Sequence, residues 1–200
     1  MQQGTMSKAR PIILASASPR RKELLALTGL KFRVDAGDYE EDLGLNLKPH
    51  ALAKHLSREK ARAVSQKYKY ALIIAADTFI ICGNNLLGKP HTEKEAVRML
   101  TMLNGKSHAV ITGYTVLDTE TGKNVSRSVE TKVWFKKLSR AEIRAYVKSK
   151  EPLDKAGAYA IQGLGSLIVK KIEGDYFNVI GLPLTSLADT LKMFGTYVLA

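Results

Sequence analysis

Cysteine is all but missing from this chain. Cys82 is the sole one, which excludes an intramolecular disulfide and suits a reducing cytosol. It sits in the apolar run Phe79-Ile80-Ile81-Cys82 and so reads as a core thiol rather than a nucleophile. Long apolar runs are missing too. No stretch approaches the about 18 apolar residues of a membrane-spanning helix, and the N-terminus has no signal-peptide core, so no membrane partner is expected. Aromatics make up only 7% of the chain, and no helix-turn-helix, zinc-finger or RNA-recognition signature occurs. There is no Walker loop, no Gly-x-Gly-x-x-Gly opening a helix after a strand, and no Gly-x-Ser-x-Gly elbow. The four histidines, His50, His55, His91 and His108, make no metal set; His50 and His55 are five apart, off a common helix face. Acids are the scarcer sign: 19 Asp and Glu against 31 Lys and Arg give a net charge of +12. That balance favours polyanionic partners, among them nucleotides, nucleic acid and anionic membranes. The charges are interleaved, however, with no run of five of one sign, so no basic tail is expected.

What is present is an ordinary globular composition, 45% apolar and 25% charged over 200 residues, enough to bury a core in one domain. No internal repeat or long linker divides it. Residues 1–10 are polar and expected to be a disordered extension; residues 11–200 are expected to form a single domain.

The organising stretch is residues 12–28. Ile12, Ile13, Leu14 and Ala15 read as a buried strand. Ser18 then fits a helix N-cap and Pro19 the first helical position, with Leu24, Leu25 and Leu27 on an inner face and Gly29 as the stop. Arg20 and Arg21 are out of place there. They fall in the first turn, beside the positive end of the helix dipole, where a cation costs roughly 0.3–1 kcal/mol. Two arginines beside free backbone N–H groups and the Ser16 and Ser18 hydroxyls describe an anion site; a capped surface helix with solvated arginines is the plainer reading of the tetrapeptide alone.

Downstream, residues 31–34 form a short second strand candidate. Asp38, Glu40, Glu41 and Asp42 crowd a turn-rich segment. A solvated loop accounts for most of them, with one or two as ligands for Mg²⁺ or Mn²⁺. Residues 49–68 read as a long helix on Leu52, Ala53, Leu56, Ala63 and Val64, with Lys60 inside the stripe. Its ammonium either snorkels to the surface or points at something specific. Residues 72–76 read as a central strand ending at Asp77-Thr78, where open α/β sheets meet ligands. A hairpin through Gly83-Asn84-Asn85 and then Gly88-Lys89-Pro90 follow. Further on come a helix boxed by Thr92 and Glu95, a long β-hairpin over 108–118 and 124–135, and a helix boxed by Ser139 and Glu142 on Ile143, Tyr146 and Val147. Residues 151–165 are dense in small residues that let backbone approach a ligand. Residues 166–172 and 176–180 read as a second hairpin, and a last helix starts near Leu184.

Taken together, Ala15-Ser16-Ala17-Ser18-Pro19-Arg20-Arg21, Glu40-Glu41, Arg58-Glu59-Lys60-Ala61, Ala76-Asp77-Thr78, Gly88-Lys89-Pro90, Lys155-Ala156-Gly157-Ala158-Tyr159-Ala160-Ile161-Gln162-Gly163 and Val179-Ile180-Gly181-Leu182-Pro183-Leu184 resemble the Maf family of nucleoside triphosphate pyrophosphatases. The blocks fall in order over residues 12–194. The resemblance implies an α/β, inosine-triphosphatase-like fold: a bent mixed sheet flanked by helices, with two lobes around a cleft. It implies cleavage of a nucleoside triphosphate between the α and β phosphates, dependence on Mg²⁺ or Mn²⁺, a cytoplasmic location and a frequent homodimer. By the same resemblance, Ser16, Arg20, Arg21, Lys60 and Lys89 would neutralise the phosphate chain. Glu41 and Asp77 would hold or neighbour the metal, with Asp77 either taking the proton of the attacking water or orienting it. Two branches differ at three positions. Arg20, Thr78 and Gln162 match the branch acting on dTTP and UTP; Trp, Gln and Glu mark the branch preferring 7-methylguanosine triphosphate. The alternative is a nucleic-acid-binding regulator, suggested by the +12 charge and the family's association with septation. The missing nucleic-acid signatures argue against a stable nucleic-acid partner.

Overall fold

The computed structural model describes residues 10–39 and 42–199. In chain order these residues form β1 (Ile12–Leu14), α1 (Pro19–Ala26), β2 (Phe32–Val34), α2 (Pro49–Ser65), β3 (Leu72–Cys82), β4 (Asn85–Leu87), α3 (Glu93–Leu103), β5 (Ser107–Asp118), β6 (Asn124–Phe135) and α4 (Arg140–Lys148). Three 3-10 turns (Glu151–Asp154, Ala156–Ala158, Gly163–Leu167) lead to β7 (Val169–Glu173), α5 (Tyr176–Ile180) and α6 (Leu184–Lys192). The seven strands make one mixed α/β sheet in the order β2-β1-β3-β5-β6-β7, with β4 also on β3. β1 runs parallel to β2 and β3, and the other pairs are antiparallel.

The side-chain period of two sorts the core onto two faces. Ile13, Ile73, Ala75 and Phe79 lie on the face covered by α2, against Leu56, Ala61 and Val64. On the opposite face Ile12, Leu14, Leu72 and Ile74 pack with Leu24 and Leu25 of α1 and Leu187 and Leu191 of α6. Further along that face, Ile80, Val110 and Val133 pack with Leu100 of α3 and Ile143 of α4. The two groups of helices form two lobes on one sheet.

β3 is the shared floor. It pairs with β5 from Leu72↔Asp118 to Ile81↔Ala109, without a break. Its other edge is discontinuous: β1 covers Leu72, Ile73 and Ile74, and β4 covers Ile80, Ile81 and Cys82. Asp77 lies in the gap. The expectation that a strand ends at Asp77 is therefore corrected. β3 runs straight through, because Thr78, Phe79 and Ile80 continue the β-favouring run; the strand that ends there is β1.

Two further expectations are revised. Residues 176–180 are helical, because Asp175 accepts hydrogen bonds from the N–H groups of Phe177 (2.7 Å) and Asn178 (3.2 Å) and so caps a helix rather than closing a hairpin. β7 pairs with β6 instead. Arg10, assigned above to the disordered extension, is held: it forms an ion pair with Asp118 and donates to the Phe194 carbonyl at 2.8 Å. Residues 1–9 lie outside the described residues. The expected α2 face holds except that Ala61, not Ala63, is among its buried residues, and Cys82 is buried in the core.

Candidate active site

The link from β1 to α1 forms one wall. Ser18 is extended (φ −69°, ψ 117°) and Pro19 opens the helix as expected, yet the Ser18 hydroxyl makes no capping bond. Arg21 is engaged by the protein itself: Nε donates to the Gly181 carbonyl (2.9 Å), Nη1 to Ser16 Oγ (3.3 Å) and Nη2 to Thr78 Oγ1 (3.0 Å). The Thr78 hydroxyl also meets Thr112 Oγ1 at 2.9 Å, and Thr112 donates to the Asn178 carbonyl at 2.9 Å. Each hydroxyl has one proton, so the chain has a direction: Arg21 donates to Thr78, Thr78 to Thr112, Thr112 to Asn178. Thr78 is left able only to accept from a ligand.

Arg20 turns the other way. Its Nη1 lies 3.1 Å from Asp154 Oδ2 and its Nη2 3.3 Å from the Asp154 carbonyl oxygen. Lys155 Nζ reaches Asp154 Oδ1 and the Glu151 carbonyl, both at 2.6 Å. Burial opposes the charge on Asp154, but hydrogen bonds from Lys155 and Arg20 hold its carboxyl below the usual range. Arg20 thus bridges from α1 to the glycine-rich segment on the far wall.

At the gap in β3, Lys60 resolves its two alternatives. Its ammonium donates to Asp77 Oδ1 at 2.6 Å, and the side chains are only 12% and 6% exposed. Asp77 Oδ2 is buried with no hydrogen-bond partner among the described residues. An orphaned buried carboxylate oxygen suits a hard cation, which favours oxygen donors. Among the described residues no group of three or more His, Cys, Asp or Glu could hold a metal. A Mg²⁺-like ion would suit this sparse set, since it is commonly bound by one or two carboxylates plus substrate phosphates. Glu41, named above as its partner ligand, lies outside the described residues.

These walls enclose a cavity of about 440 Å³ lined by Arg20, Arg21, Asp77, Thr78, Lys89 and Gln162 among others. A second cavity of about 360 Å³ shares Arg20, Arg21 and Lys89 and adds Ser16 and Lys60. Every site residue read from the sequence, Glu41 apart, lines one or both. Lys89 is exposed and makes no ion pair among the described residues. Gln162 is likewise exposed at the cleft. With Lys155 also on the lining, the described lysines and arginines outnumber the acids Asp77, Glu95 and Asp154, which draws in a polyanion.

Sequence reasoning did not single out Asp154 and Lys155 as site residues, although both lie within the small-residue stretch 151–165 and Lys155 opens one of the blocks that carry the resemblance. His108 lines neither cavity. That side chain is buried, with Nε2 at 2.7 Å from Tyr159 Oη and Phe135 and Tyr159 edge-on around it. Burial pushes its pKa down to about 4.

Residues 11–194 match the family described as Maf-like protein. The chain belongs to the Maf-like family. It is 49% identical over 189 residues to the dTTP/UTP pyrophosphatase of Desulforamulus reducens, covering 94% of this chain and 99% of that protein. Over 190 residues it is 50% identical to the dTTP/UTP pyrophosphatase of Methanosarcina barkeri, covering 94% and 96%. A third relative, the dTTP/UTP pyrophosphatase of Moorella thermoacetica, is 46% identical over 187 residues, covering 94% and 96%. In this Maf-like chain the matched segment contains every cleft residue named above, from Ser16 to Gln162.

Proposed function

We propose that this chain is a nucleoside triphosphate pyrophosphatase that hydrolyses dTTP and UTP to the monophosphate and pyrophosphate, clearing such nucleotides from the pool. The observation that carries the reading is the convergence of Arg20, Thr78 and Gln162 on one cleft with Lys89 and Asp77, in a chain about half identical to proteins of that name.

Each residue has a chemical task. Arg20, Lys89 and Lys155 offset the charge of the phosphate chain, arginine by its fork and lysine as a point charge. Ser16 and Ser18 offer hydroxyls at the start of α1. Lys60 commits to Asp77 Oδ1 and fixes the carboxylate plane, so Oδ2 is the atom left to meet water. Water adds to phosphorus, the bond to the bridging oxygen between the α and β phosphates breaks, and pyrophosphate leaves. A divalent cation, Mg²⁺ or Mn²⁺, would be held by Asp77 Oδ2 and by Glu41 and would acidify the bound water. Orienting the water is the larger share of Asp77, since phosphoryl transfer runs on positioning and charge.

The base is chosen at Gln162. A uracil or thymine edge sets carbonyl acceptors on either side of an N3–H donor. The Gln162 amide both donates and accepts, so it can pair with that edge. Glutamate would set lone pair against lone pair, and a site built around one hydrogen bond rejects a partner that leaves it unmade. The reading carries with it a cytoplasmic location and a homodimer. No helix among the described residues is long and apolar enough to cross a membrane, and light scattering tests the dimer.

The deciding experiment is a nucleotide panel with a pyrophosphate readout, with and without Mg²⁺. We expect kcat/KM for dTTP and UTP well above that for dATP, GTP and 7-methyl-GTP. No release from any nucleotide would overturn the enzyme reading, and faster release from 7-methyl-GTP would overturn the base assignment.

A further inference from the structure

Gln162 rides on a short loop whose two ends are tied to two side chains that are themselves bonded to each other. Before it, the Ala160 N–H donates to Tyr146 Oη at 3.2 Å. After it, the N–H groups of Leu164 and Gly165 donate to Glu151 Oε2 and Oε1 at 2.9 and 3.0 Å. The two anchors are joined, because Tyr146 Oη donates to Glu151 Oε1 at 2.8 Å. Those three donors hold the Glu151 carboxyl below its usual range against the opposing effect of burial, so the anchor is an ionised one. Charge-assisted bonds to a carboxylate are the stronger kind.

The glycines fit this arrangement. A Cβ on Gly165 would fall 2.0 Å from the Ala160 carbonyl oxygen, so the loop ends touch. Gly163 has φ +61°, and a Cβ there would fall 2.6 Å from Glu151 Oε2. Tyr146 itself is 6% exposed and sits on α4 beside buried Ile143 and Val147, which fixes it to the core. Between the ties the Gln162 side chain lies exposed, with no hydrogen bond of its own to the described residues. The anchors therefore fix the stretch of backbone from which the Gln162 side chain starts.

We infer that Tyr146 and Glu151 are positioning residues for substrate choice: acting through the loop ends, they set where Gln162 presents its amide to the base. The inference rests on the pyrimidine reading above. It asks the pair to change discrimination between bases while leaving the phosphate chemistry at Asp77, on a different element, intact.

The test is Tyr146→Phe and Glu151→Gln, with kcat and KM measured separately for dTTP, UTP and dATP, and melting temperatures alongside. Tyr146→Phe keeps the ring in the core and removes only the hydroxyl, so it remains informative if Glu151→Gln folds poorly. We expect KM for dTTP and UTP to rise about tenfold, kcat to stay within about threefold, and the preference over dATP to fall about tenfold, as the loss of one or two oriented hydrogen bonds allows. In a Gln162→Ala background, Tyr146→Phe should leave the remaining preference unchanged, because the residue it acts through is gone. A preference kept at the wild-type ratio, an equal loss of kcat for every nucleotide, or full additivity with Gln162→Ala would overturn the inference while leaving the pyrophosphatase reading standing. A wild-type enzyme without pyrimidine preference would overturn both.

Discussion

Lys60 reaches Asp77 from α2, which covers the same face of the sheet; its ammonium lies 2.6 Å from Oδ1 and leaves Oδ2 buried without a partner among the described residues. One oxygen is thus structural and the other is available for chemistry.

From this division, Asp77→Asn should lower kcat by about 10²–10⁴-fold with KM little changed. The amide oxygen can still accept from Lys60, so the fold survives. Steady-state kinetics on dTTP with circular dichroism checks both halves, and wild-type turnover would sink the assignment. Lys60→Met removes the other partner and strands a buried charge, which costs about 3–5 kcal/mol. It should therefore unfold at clearly lower urea than Asp77→Asn.

The two arginines should part company. Their position at a helix N-terminus suggests that neither supports the apo fold, but the contacts of Arg21 revise this. It ties α1 to Ser16, Thr78 and Gly181, so Arg21→Ala should cost about 1–3 kcal/mol of stability. Among the described residues Arg20 pairs only with Asp154, which is 61% exposed, so Arg20→Ala should cost less than about 1 kcal/mol while weakening triphosphate binding. Equal melting temperatures for the two variants would contradict this.

Acid should act first through His108. Its folded pKa, about 4, lies below the ordinary 6.5 because the ring is buried. The unfolded chain therefore takes up the proton first. The contribution is fully present above pH 6.5 and is lost as pH falls toward 4, to a total of about 3 kcal/mol. Denaturation midpoints between pH 7 and 4 should fall more steeply for the wild type than for His108→Gln. Parallel curves would mean that the ring charges in place.

Gly113 faces Asp77 across β3 and β5. A Cβ there would fall 2.0 Å from the Ala53 carbonyl oxygen, because α2 lies directly on the sheet. Gly113→Ala should cost about 1–3 kcal/mol or more. It should also depress kcat, since α2 carries Lys60. A variant as stable and active as the wild type would show that α2 can shift freely.

Much of this was legible in the sequence because it is local. Ser139 and Glu142 form the capping box their spacing announces, the alternation in β6 survives as a sheet arm, and Ile143, Tyr146 and Val147 are the buried face of α4. The site blocks could be ordered along the chain, and the site residues among the described ones line two cavities that share Arg20, Arg21 and Lys89. What could not be read was nonlocal. Nothing near Asp77 says that β1 stops beside it while β3 continues, because that is a matter of which strand lies alongside. Arg10 looked like tail because its partners, Asp118 and Phe194, are more than a hundred residues away. Residues 176–180 have strand-like composition, and a single carboxylate at Asp175 turns them into a helix.

The unbroken pairing of β3 with β5 has a mechanical consequence. Ten consecutive rungs run beneath both lobes, so the lobes are bolted to one plate and cannot swing together like jaws on a hinge. Substrate capture has to be done by side chains and short segments along the rim, such as Arg20 exchanging Asp154 for a phosphate. A ruler placed across the lobes should read the same span with the nucleotide bound as without it.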